Sequence, residues 1–168
     1  MAWLLAVPLL FLLALLQSAV LRQIPFLDGG LDLLLLVVIC WNLLDPEEGL
    51  VWALLAGVFA DLFTGGPAGV TPIAYLLAGF MIGQLHGRLR TDSPSVVMAI
   101  ALFGTVIAHL ALIALLMLLG RTMDAGFALA YITLPTAFLN TLCAIPVYLL
   151  LRRTYHGIHP PAATVAEE

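Results

Sequence analysis

Lysine is absent from the 168 residues, and charged side chains of all kinds make up only 10% of them. The six basic residues are all arginines, outnumbered by ten acidic ones, for a formal charge of −4. With no long basic patch, the chain is not built to grip nucleic acid, which demands a basic face. Cysteine is equally scarce. Cys40 and Cys143 both lie inside apolar runs, where a thiol serves as a small hydrophobe and a disulfide framework would be out of place. There is no His-Glu-x-x-His pair, no Gly-x-Ser-x-Gly elbow, no Walker loop and no Cys/His cluster with metal-ligand spacing. Gly65-Gly66-Pro67 lacks the Lys-Ser/Thr of a phosphate loop and reads as a turn. No catalytic, cofactor-binding or metal-binding residue is expected, so the chain reads as a non-enzyme.

What fills the space is apolar: 63% of residues are hydrophobic and the mean hydropathy is +1.14, whereas soluble domains carry about 25% charged residues. Lipid is the expected solvent. A crossing takes roughly 20 helical residues, so the length allows at most about seven spans and no sizeable soluble domain. Leu31 to Ile39 and Leu110 to Leu119 are nearly unbroken aliphatic runs, which disfavours the alternating pattern of a membrane β-barrel. The fold class is therefore all-α, a polytopic transmembrane bundle of about six helices.

The first run, Ala2 to Leu21, lacks the basic start of a secretory signal and is long enough to span. After a break at Arg22 to Gly30, a second run covers only Leu31 to Leu44. That is short for a crossing, so it is thin, tilted or partly buried in protein. Asp45-Pro46-Glu47-Glu48 has the form of a helix start, with Asp as N-cap, Pro at the first position and Glu48 placed for a capping box. The third helix should reach about Phe63, where Thr64 to Gly69 turns the chain into a fourth helix from about Thr71 to Leu85. Ser93-Pro94 suits the start of a fifth, ending near Leu119. A sixth should run from Phe127 to Leu151, bent by Pro135 and Pro146. Residues 1–153 form one membrane domain, and 154–168 are expected to be a disordered cytoplasmic tail. Six spans put both termini on one side. Arg88, Arg90, Arg152 and Arg153 fall on that side against Arg22 and Arg121 on the other, so the positive-inside rule makes it the cytoplasm.

Small residues four apart let helices approach closely. Gly49, Ala53 and Gly57 form such a face in the third helix, and Gly79, Gly83 and Gly87 another in the fourth, for packing within the chain or against a partner's helix. Asp61 sits near the C-terminal end of an apolar helix, against the helix dipole, and should have a partner. Arg22, Asp28, Asp32, Asp61 and Arg121 are expected at the outer surface, where Asp61 paired with Arg22 or Arg121 would clamp the helix ends. His109 and Asn140 lie mid-helix, where interhelical hydrogen bonding is the usual role. A proton relay through His109 would need further titratable groups.

Asp32-Leu33-Leu34-Leu35-Leu36 opens the second run, Trp41 lies near its end, and Pro46-Glu47-Glu48-Gly49 starts the next helix. Gly57 and Ala60-Asp61-Leu62-Phe63 then lead into Gly65-Gly66-Pro67-Ala68-Gly69-Val70. This succession resembles the MreD family of bacterial rod shape-determining membrane proteins, most specifically from Asp32 to Gly83. Pro135, Pro146 and the arginine-only basic set depart from it. The resemblance implies a non-catalytic subunit of the elongasome in the bacterial inner membrane, in contact with lipid. It also implies binding to MreC, support of RodA and its class B penicillin-binding protein, and indirect coordination with MreB. The implied fold is similar to the substrate-binding subunits of energy-coupling-factor vitamin transporters, which supplies an alternative function. A small proton-coupled or lipid transporter is a third reading.

Overall fold

The computed structural model describes residues 3–19, 30–85 and 93–158. Its elements, all helical, are α1 (Trp3–Ala19), α2 (Leu33–Leu44), α3 (Pro46–Thr64), α4 (Val70–Gly83), α5 (Pro94–Leu118), α6 (Ala125–Ala128), a π turn (Leu129–Thr133) and α7 (Leu134–Ile158). The last three run on without a break, so the described residues form six helical rods. Two of them, Pro94–Leu118 and Ala125–Gly157, are long and apolar enough to cross a membrane.

The short second run becomes the centre of the molecule. Every residue from Leu34 to Leu43 in α2 is buried, and α1, α3, α4, α5 and α7 all pack around it. A helix that is apolar on every side belongs in an interior, and here protein supplies that interior. By contrast Leu62, Phe103, Leu118, Tyr131, Phe138 and Leu150 are all at least 65% exposed on the outer rods. These apolar side chains need an apolar surrounding.

Local signals set the ends. Asp45 caps α3, its Oδ1 accepting from the Glu47 and Glu48 N–H groups at 3.1 Å. Ser93 precedes α5 as expected but makes no side-chain cap; its hydroxyl pairs with that of Ser95 at 2.8 Å instead. Gly65 ends α3 at φ 66° and Gly69 starts α4 at φ 93°, left-handed conformations that favour glycine and let the chain reverse tightly.

The last rod departs from expectation at both ends. It starts at Ala125 and continues to Ile158, so the predicted tail is helical in its first residues. Tyr155 holds this extension, its ring edge-on to Trp41 at 5.9 Å while Trp41 stacks on Trp52 at 4.0 Å. The π turn falls immediately before Pro135, with the Leu134 N–H bonded to the Leu129 carbonyl. Proline supplies no N–H and crowds the carbonyl four residues back, and a widened turn accommodates both.

The glycine faces lie inside the bundle. A Cβ at Gly49 would stand 2.5 Å from Asn42 Cγ, and one at Gly79 3.1 Å from Asn42 Nδ2. Asn42, fully buried, thus fills the notch where α2, α3 and α4 meet, donating to the Val38 carbonyl at 2.9 Å. Gly57 lies against Pro72, and Ala53 is fully buried. Gly83 is looser: a Cβ there would be 3.3 Å from Pro46 Cβ. Gly87 lies outside the described residues. Gly79→Leu is therefore expected to lower folded yield severely, whereas Gly83→Ala should cost under about 1 kcal/mol. Fluorescence-detected size exclusion on both variants checks the order, and equal yields would contradict it.

Candidate functional site

One cluster of polar residues lies at the end of the bundle that carries the α3–α4 turn. Asp32 is the hub. As N-cap of α2 its Oδ1 accepts from the Leu35 N–H at 3.1 Å and from Gln17 Nε2 of α1 at 3.3 Å. Its Oδ2 accepts from the Tyr75 hydroxyl of α4 at 2.6 Å. Gln17 returns a bond, its Oε1 accepting from the Leu34 N–H at 3.2 Å. The Asp32 N–H in turn donates to Asn140 Oδ1 of α7 at 3.1 Å, and Asn140 Nδ2 donates to Thr105 Oγ1 of α5 at 3.1 Å. One connected network therefore ties α1, α2, α4, α5 and α7, part-buried around Asp32 and fully buried where Asn140 meets Thr105.

Asp61 is solved differently. Its Oδ2 accepts from the Gly69 N–H at 2.7 Å. Gly69 is the N-cap of α4 and has no side chain to cap it, so the carboxylate of the preceding helix does that work. The penalty of sitting at the end of α3 is offset by the positive end of α4. Among the described residues Asp61 makes no ion pair. Arg121 is exposed, lining a separate shallow pocket with Asp124, and Arg22 and Asp28 lie outside the described residues. Arg121 follows α5 and lines that other pocket, the Arg22 alternative for the Asp61 clamp falls outside the described residues, and within the described ones Asp61 is met by a hydrogen bond across a tight turn.

Asp32 and Asp61 share the lining of one cavity of about 290 Å³ with Gln17, Thr64, Thr71, Tyr75 and His109. His109 reaches it from α5 while its Nδ1 lies 3.3 Å from the Thr133 hydroxyl in the π turn. Sequence reasoning located Asp32, Asp61, His109 and Asn140 but missed Gln17, Tyr75 and Thr105, whose importance comes from neighbours on other helices. Asn42 was missed too, although a lone amide in the run Leu33–Leu44 was a readable signal.

A second concavity, apolar and about 630 Å³ in volume, runs between α4 and α5, lined by residues such as Met81, Leu85, Ile100, Phe103 and Ile107. Among the described residues no group of three or more His, Cys, Asp and Glu has the geometry to hold a metal.

Apolar rods around a buried helix, with polar residues inside, define a helical membrane protein. The model of the family of rod shape-determining protein MreD matches residues 1–157, and the chain belongs to that family. The match takes in α5 and α7 as well as the segment from Asp32 to Gly83 that carried the resemblance. No curated protein and no solved structure matches the chain. Membership gives it a role in rod shape determination as a structural membrane protein.

Proposed function

We propose that the chain is a non-catalytic, multi-pass subunit of the cell-elongation machinery in the bacterial cytoplasmic membrane, and that it binds MreC. Through MreC it supports the peptidoglycan synthase pair of RodA and a class B penicillin-binding protein, with MreB coordinated indirectly. The family match over residues 1–157 is the observation that carries this reading. The proposed orientation puts both termini and the Asp45 end in the cytoplasm, where Arg88, Arg90, Arg152 and Arg153 outnumber Arg22 and Arg121 on the opposite side. The Asp61 end then faces out.

The internal packing of Gly49, Gly57 and Gly79 argues against these faces as the seat of a partner's helix. The α4–α5 groove is the better seat. It is apolar, has about 630 Å³ of room for several side chains of a passing helix, and is walled by Phe103, which is 65% exposed. A single transmembrane helix of MreC laid there would replace lipid with close side-chain packing.

Tagged purification from native membranes in mild detergent, followed by native mass spectrometry, is expected to recover MreC at equal stoichiometry. Phe103→Ala should reduce the recovered MreC several-fold while leaving the melting temperature of the free subunit unchanged. Full retention of MreC by that variant would move the partner off this groove, and recovery of the chain without MreC would remove the reading. The polar cavity favours the alternative, a ligand-binding subunit of the energy-coupling-factor type, which would copurify with a small molecule and a transmembrane coupling protein.

A further inference from the structure

We draw no further inference here: the strongest candidate, the apolar groove between α4 and α5 walled by Phe103 and Ile107, already belongs to the seat proposed for the partner helix, and nothing in the structure shows what else covers it.

Discussion

Gly57→Ala should destabilise the bundle by about 3 kcal/mol or prevent its folding, the upper end of what overpacking costs. The added methyl would stand 2.3 Å from Pro72 Cα and 2.5 Å from Pro72 N. Both are backbone atoms, so no rotamer change relieves the clash. Only separation of α3 from α4 would, and these two helices form the most extensively packed pair in the structure. Proline at position 72 makes the close approach possible, since it has no N–H to leave stranded at the contact and lies within the first turn of α4. The measurement is the thermal midpoint in lipid nanodiscs alongside folded yield. Gly157→Ala, which meets nothing within 4 Å, is the control. A Gly57→Ala protein that melts with the control would mean that the α3–α4 crossing is far softer than its geometry.

Asp32→Ala carries the second largest expectation, again about 3 kcal/mol. It removes a helix N-cap, typically worth about 1 kcal/mol, and the charged acceptor of the Tyr75 hydroxyl, worth roughly 1.5–3 kcal/mol. The Tyr75 side chain is buried and would be left with an unpaired hydroxyl. Asp32→Asn keeps one oxygen for the Leu35 N–H and turns an amide NH2 toward the Tyr75 hydroxyl, whose oxygen can accept from it, so it should cost less than half as much. Combining Asp32→Ala with Tyr75→Phe should recover part of the loss, because the stranded hydroxyl is gone. The coupling in that double-mutant cycle is expected to be about 1–2 kcal/mol. Strict additivity would show that the 2.6 Å contact contributes nothing in the membrane.

Much of this protein was legible along the chain. Asp45-Pro46 started α3 because a capping carboxylate and a proline without an N–H both act within a few residues of themselves. Gly65 and Gly69 turned the chain for the same local reason. The aliphatic runs declared helices in lipid, and the order of short motifs from Asp32 to Val70 pointed to the family that the whole chain matches. Long-range pairings were not legible. Asp61 called for a partner, and one that the spacing did not announce, the Gly69 N–H eight residues further on, donates to it.

The sequence by itself determined the solvent, the helices and the punctuation between them, because hydropathy, capping and turn chemistry are properties of neighbouring residues. Tertiary structure decided which short run became the buried centre, which glycine faces turned inward, and that Asp32, Asp61 and His109, from three different helices, line one cavity. Those are facts about the rotation and depth of rods in a bundle. They depend on which side chains interlock across helices, as Gly57 does with Pro72, and no spacing within a single helix encodes that fit.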